Sequence, residues 1–248
     1  NVWDGTGDPP AVWPVAIVKA TTGESTYLPS EYPGITGSLS GPAGTFAFYR
    51  SSVVYDASLN LVIYPWAEKG QREIVLWDRV SRRALATLSD HDDFSHEPIW
   101  APDQDVLAVP VATDKSANGD GNVTEWYSVT RDGRVERLSD YSQYFDHTNI
   151  GAASWSPNGE HIAFWLETRS GQCTGWNLAI LSVRTGDTVN YCLEKASTSN
   201  LTPIWSPDGE YLVIDSGEDF RSGPLVVSLS AKWATFLNLA GYPVGWLK

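Results

Sequence analysis

The segment Trp205-Ser-Pro-Asp-Gly-Glu-Tyr-Leu-Val-Ile214 decides the fold, because related copies recur along the chain. A close copy is Trp155-Ser-Pro-Asn-Gly-Glu-His-Ile-Ala-Phe164, and a third begins as Trp100-Ala-Pro-Asp-Gln104. Pro presets φ, Asp or Asn tolerates the bend, and Gly accepts a positive φ, so the motif predicts a tight turn. The β-branched and aromatic residues after it predict a buried strand. Each copy is therefore a strand, a turn and a second strand.

The repeat is about fifty residues long, and its anchor residues are Tyr55, Trp100, Trp155 and Trp205. A second hairpin follows each anchor, and one further hairpin lies upstream of Tyr55. These outer hairpins begin at Ala16, Ile74, Glu125, Leu178 and Leu225. Four strands in a repeat of this length are typical of a β-propeller blade.

The two chain ends complement each other in this pattern. Pro243 and Trp246 resemble the opening of another inner strand, whereas the hairpin at Ala16 has no inner strands before it. The sequence predicts an all-β fold: one β-propeller domain over residues 1–248, with about five four-stranded blades. We expect a composite closing blade in which residues 242–248 pair with the N-terminal segment and so remove two exposed sheet edges. The alternative is a truncated propeller with six or more blades.

Composition excludes several classes of partner. The formal net charge of −13 argues against nucleic acid and against an anionic membrane surface, since both require a basic face. No apolar run is long enough to predict a transmembrane helix. The chain contains no Met and begins at Asn1, so we expect that any signal peptide or lipid anchor has been removed.

Two cysteines, Cys173 and Cys192, lie within one repeat. An even pair suits a local disulfide in an exported protein, with Cα atoms about 4.4–6.8 Å apart. Two buried free thiols are the alternative. The pair favours an extracytoplasmic location, whether secreted, periplasmic or at the cell surface.

The segments Trp155-Ser-Pro-Asn-Gly and Trp205-Ser-Pro-Asp-Gly resemble the TolB-type propeller repeat, a WD-like repeat. The resemblance covers roughly residues 50–216; the copy at Trp100 departs from it at the Gly position, and the copy at Tyr55 has lost most of the motif. It implies a non-catalytic exported propeller that binds another protein or assembles with copies of itself. TolB has six blades and an extra domain, which are not evident here. The resemblance therefore does not predict that this chain binds a TolB partner.

Candidate binding residues lie in the loops that join one blade to the next, at one mouth of the predicted channel. They are Asp92, Asp93, His96, Tyr144, Asp146 and His147. Carboxylates and imidazoles are the groups that a metal or an acid–base pair requires, although the same residue types are common in turns. The alternative function is therefore a carbohydrate-binding or glycoside-cleaving propeller, in which two carboxylates at the mouth carry the reaction.

Other motifs favour a protein without a cofactor. The oxygen-rich stretch Asp114-Lys-Ser-Ala-Asn-Gly-Asp-Gly-Asn122 misses the ligand spacing of a calcium loop, so we expect a polar hairpin loop. The chain has no Gly-x-Ser-x-Gly elbow, phosphate loop or dinucleotide fingerprint, and we predict no catalytic residues. The motif residues Trp155 and Trp205 are expected to be buried beneath their turns and to line no pocket.

Overall fold

The computed structural model describes the following residues: 16–18, 25–27, 54–58, 60–68, 71–78, 80–89, 94–113, 122–195, 201–215, 223–231, 233–237, 243, 245 and 246. The chain divides into two compact units, Asn1–Ser51 and Ser52–Lys248. In the first unit, β1 (Ala16–Val18) pairs antiparallel with β2 (Ser25–Tyr27). This is the hairpin predicted upstream of the first anchor residue.

The described strands of the second unit form four antiparallel groups of four, which we call blades A to D; blades B and C are joined into one eight-stranded sheet by a parallel pair between Thr148 and Val123. Blade A contains β3 (Val54–Tyr55), β4 (Leu61–Glu68), β5 (Gln71–Asp78) and β6 (Arg83–Ser89). Blade B contains β7 (Ile99–Trp100), β8 (Val106–Thr113), β9 (Val123–Thr130) and β10 (Val135–Arg137). Blade C contains β11 (Thr148–Trp155), β12 (His161–Thr168), β13 (Gly175–Ser182) and β14 (Thr188–Lys195). Blade D contains β15 (Ile204–Trp205), β16 (Tyr211–Asp215), β17 (Pro224–Ser228) and β18 (Trp233–Phe236).

The core lies between successive blades, because the inner strands are buried on both faces. Alternate side chains of β8 point to opposite neighbours: Leu107 and Val109 pack against blade A, whereas Ala108 packs against blade C. In β12, Phe164 packs toward blade B and Trp165 toward blade D. Sheets that pack face to face in succession are the arrangement of a propeller, so the all-β propeller prediction is confirmed.

The repeated motif forms the turn between the first two strands of a blade. In blades C and D, Gly159 and Gly209 have φ of 71° and 75°, and their N–H groups donate to the carbonyls of Ser156 and Ser206. The backbone therefore needs a residue that accepts positive φ at this position. Blade B has Gln104 there, with φ of 64°. Its side chain offsets the strain by donating to the Ala101 carbonyl at 3.1 Å.

The motif tryptophans of blades C and D each link their blade to the one before it. Trp155 Nε1 donates to the Ile99 carbonyl at 2.9 Å, and Trp205 Nε1 donates to the Ser154 carbonyl at 3.2 Å. Each acceptor immediately precedes the motif tryptophan of the preceding blade. Trp246 Nε1 makes the same contact, to the Ile204 carbonyl at 3.3 Å. Trp246 thus takes the position of the next motif tryptophan, as its sequence context predicts.

The closing blade stays a prediction. Pro243, Gly245 and Trp246 are the described residues of the segment 242–248, and none of them lies in a strand. The pairing of this segment with the N-terminal unit, and with it the count of five blades and the single domain over 1–248, concerns residues outside the described ranges.

The predicted disulfide is present. Cys173 lies in the loop between β12 and β13, Cys192 lies in β14, and their Cα atoms are 5.3 Å apart. The bond ties the β12–β13 loop to β14, the outermost strand of blade C among the described residues.

We expect the double variant Cys173→Ser/Cys192→Ser to lose about 3 kcal/mol of unfolding free energy, because a bridge of this loop length restricts the unfolded chain. Urea denaturation with and without reductant measures the loss. Reductant should reproduce the loss in the wild type and leave the double variant unchanged. If the denaturation midpoint of the wild type were the same with and without reductant, the prediction would be wrong.

Candidate functional site

The loop that enters blade B carries one candidate residue within the described range. His96 is half-buried, in a segment fixed to β8 by a bridge between Phe94 and Val111 and by a Ser95 N–H bond to the Pro110 carbonyl at 3.0 Å. Asp92 and Asp93 lie outside the described residues. This loop therefore runs along the second strand of its own blade before the first strand begins.

The loop that enters blade C, residues 138–147, carries the other three candidates. It contains a single 3₁₀ turn at Tyr141–Gln143. Tyr144 follows the turn and is 75% exposed, and Asp146 is exposed as well. His147 is half-buried, with Nε2 3.7 Å from Glu167 Oε2 on β12. The structure thus brings Tyr144, Asp146 and His147 into one loop and places His96 in the loop of the preceding blade.

A buried carboxylate holds this second loop in place. Glu125 lies on β9 with 0% exposure. Its Oε2 accepts from Ser139 Oγ at 2.5 Å and from the Tyr141 N–H at 3.0 Å, and its Oε1 accepts from the Ser142 N–H at 2.7 Å. The Arg137 guanidinium donates to Oε1 at 2.5 Å. One side chain therefore binds the loop at three positions, and a buried carboxylate with this many donors is fully satisfied.

The side of the loop away from Glu125 is anchored to blade C. Tyr141 is buried, and its hydroxyl lies 2.8 Å from Thr188 Oγ1 on β14. Burial raises the pKa of the Tyr141 hydroxyl, which therefore stays protonated. Phe145 packs edge-on against the Tyr141 ring. The backbone before and after Tyr144 is thereby fixed, while the Tyr144 side chain itself reaches solvent.

Glu125 was not identified as a site residue from the sequence. The only sequence feature that points to it is its place in a strand, between the apolar residues Val123 and Trp126. That signal shows that a partner is needed but not which one, since the donors lie 12–17 residues further along the chain.

The chemistry that the described residues offer at this site is recognition through an exposed phenol and carboxylate. In the described ranges, no group of three or more His, Cys, Asp or Glu side chains is placed to hold a metal ion. The stretch 114–121 lies outside those ranges, so its nature as a polar loop stays a prediction. Over the same part of the chain, no helix is long and apolar enough to cross a membrane.

One prediction about the motif tryptophans is wrong. Trp205 is 9% exposed and packs in the core between blades C and D, but one edge of it also lines a groove between those blades. Trp155 is half-buried and packs against the core between blades B and C. The reason is that Trp205 packs between two blades, so part of it faces the gap between them.

No family model and no curated protein matches this chain. Among solved structures, TolB from Acinetobacter baumannii is similar with a TM-score of 0.51 and 17% identity, over 88% of this chain and 47% of TolB. The fold is a TolB-like β-propeller. Hydrazine synthase from Kuenenia stuttgartiensis is similar with a TM-score of 0.50 and 14% identity, over 93% of this chain and 66% of that one.

A third similar structure is described as a dipeptidyl aminopeptidase IV from Bacteroides ovatus, with a TM-score of 0.50 and 11% identity, over 73% of this chain and 29% of that one. This chain thus spans about half the length of TolB and less of the peptidase. The TolB-like fold is shared by TolB and by proteins named as enzymes. Architecture alone therefore does not assign an activity.

Proposed function

We propose that the protein is a non-catalytic, exported propeller that binds another protein through the loop 138–147. The observation that carries this proposal is Tyr144, a 75% exposed aromatic side chain on a backbone that Glu125 fixes from below. Tyr is among the residues that most often dominate protein–protein binding energy. A loop that is already ordered also loses little conformational entropy when it binds.

Export is supported by the disulfide, since structural disulfides persist in oxidising compartments. The net charge of −13 keeps the chain soluble and disfavours nucleic acid and anionic membranes as partners. A protein partner or a second copy of the chain therefore suits the surface best.

The test compares Tyr144→Ala with Val80→Ala, because Val80 is an exposed apolar side chain with the same 75% exposure, in the β5–β6 turn. A photo-crosslinking amino acid at position 144 should capture a discrete partner from the exported fraction of the producing organism, and one at position 80 should not. For the purified partner, Tyr144→Ala should weaken binding at least tenfold. Its melting temperature should stay that of the wild type, since the side chain is exposed.

Self-association is measured separately by sedimentation velocity of both variants. A glycan array and hydrolase assays cover the carbohydrate alternative. A saturable sugar signal that Tyr144→Ala leaves unchanged, with no partner captured at position 144, would contradict the proposal.

A further inference from the structure

At the junction of blades A and B, an arginine closes the gap between the two sheets. Arg131, at the β9–β10 turn, donates through Nη2 to Asp56 Oδ2 at 2.7 Å and through Nη1 to the Gln104 carbonyl at 2.9 Å. Its guanidinium lies 5.6 Å from the Trp100 ring centroid, which is a cation–π arrangement. Arg131 therefore meets a carboxylate of blade A, and a turn carbonyl and an indole of blade B.

Asp56 is suited to hold this cation. Burial favours the neutral acid, but bonds from Ser58, the Leu61 N–H and Arg131 outweigh it and hold the pKa of Asp56 below its usual value. The carboxylate therefore stays ionised at neutral pH.

The repeat shows which residues take these positions at the junction of blades C and D. Arg131 N–H donates to the Asp105 carbonyl, and Leu229 N–H donates to the Glu210 carbonyl in the same way. Leu229 is thus the counterpart of Arg131. Ser156 is the counterpart of Asp56, since each follows the anchor residue and binds the amide five positions further on. Neither Leu229 nor Ser156 can form the bridge that Arg131 and Asp56 form.

A groove of about 630 Å³ opens at this junction, and both Ser156 and Leu229 line it. It lies at the edge of the blades where the first strand turns into the second and the third strand turns into the fourth. The loop 138–147 lies at the opposite edge. Its apolar lining includes Trp205 and Tyr191. Gly209 also lines it and is the counterpart of Gln104, whose carbonyl accepts from Arg131 in blade B. The groove therefore retains the indole and the turn of the arginine site, without the arginine.

The charges around the groove are mostly acidic. Asp187, Asp208 and Glu210 line it and are exposed, whereas Arg184 and His161 are its basic members. The Ser206 hydroxyl and the Glu210 N–H hold the pKa of Asp208 below its usual value, so its charge persists under mildly acidic conditions. Acidic side chains beside an indole favour an organic cation.

We infer that the groove between blades C and D binds an arginine side chain of a partner peptide, which takes the place that Arg131 fills between blades A and B. The guanidinium lies against the apolar lining and pairs with Asp208 and Glu210. This site lies apart from Tyr144 and does not depend on the function proposed for the loop 138–147.

The probe is the capped peptide acetyl-Gly-Arg-Gly-amide, and its control is the same peptide with citrulline, which replaces the charged guanidinium by a neutral group of the same shape. The readout is the shift of the Trp205 indole N–H and the Gly209 amide in ¹⁵N-resolved NMR spectra. The arginine peptide should give saturable shifts at these positions, and the citrulline peptide should give none.

Two variants localise the binding. Asp208→Asn/Glu210→Gln should weaken it about four- to twenty-five-fold, since each exposed pair contributes about two- to fivefold. Asn158 already replaces Asp208 in the blade C turn with the same Ser hydroxyl bond, so the turn should survive. Glu97→Gln/Glu136→Gln removes the same charge elsewhere and should leave binding unchanged. Ser156→Asp/Leu229→Arg should fill the groove from within and abolish the shifts.

Equal binding of the arginine and citrulline peptides would overturn the inference. Equal losses in the two neutralised double variants would overturn it as well, because the effect would then be net charge alone. Thermal melts establish that each variant is folded. If Ser156→Asp/Leu229→Arg does not fold, the comparison of the two neutralised variants still decides the outcome.

Discussion

Replacing Trp205 by Ala is expected to lower the free energy of unfolding by about 3–5 kcal/mol, the usual cost of truncating a large core aromatic. Trp205 is 9% exposed and packs in the cluster between blades C and D with Leu212 and Leu225. The change also removes the indole bond to the Ser154 carbonyl of blade C. Urea denaturation followed by circular dichroism measures the loss.

The matched control is Trp233→Ala. Trp233 lies on β18, the outermost strand of blade D, and is 44% exposed. Its removal should cost clearly less than that of Trp205, because 44% of its surface already meets water. If Trp205→Ala left stability intact and abolished binding of the arginine peptide, the motif tryptophan would be a binding residue and not a packing one.

The sequence predicts most of the strands because their signals are local. Turn residues at fixed offsets from Trp155 and Trp205 set the first hairpin of a blade, and alternating apolar residues set the rest. All five outer hairpins appear as paired strands where the sequence places them. The disulfide is predictable for the same reason, since both cysteines lie within one repeat.

The contacts that shape the candidate sites are not local, and sequence reasoning missed them. Arg131 meets Asp56 across 75 positions of sequence, and nothing in the Arg131-Asp-Gly turn distinguishes a bridging arginine from a solvent-exposed one. Likewise, nothing in the sequence shows that Leu229 and Ser156 stand where another junction has an ion pair. That absence is recognised only after the Arg131–Asp56 bridge is seen at the equivalent junction. The groove is therefore visible only by comparing one blade junction with another in three dimensions.

We expect Glu125→Ala to lower the free energy of unfolding by about 3–5 kcal/mol, because removing one partner of a buried, hydrogen-bonded carboxylate leaves the others unsatisfied. The Tyr141 and Ser142 N–H groups and the Ser139 hydroxyl lose their acceptor. Arg137 is 39% exposed and keeps its ion pair with Asp140 at 2.8 Å, so most of the loss should come from the loop. Chemical denaturation measures the global loss.

Hydrogen exchange then separates a loosened loop from a generally weaker fold. In Glu125→Ala, the amides of Tyr141 and Ser142 should exchange faster than the decrease in global stability accounts for, whereas those of β12 should follow it. The control is Glu136→Ala, the same truncation of an exposed carboxylate on the neighbouring strand β10, which should change stability by less than about 0.5 kcal/mol. If Tyr141 and Ser142 stayed protected in Glu125→Ala, the loop would be ordered by the Tyr141–Thr188 contact alone. Blade C would then hold the backbone on either side of Tyr144, and Glu125 would contribute to the stability of blade B without ordering the loop.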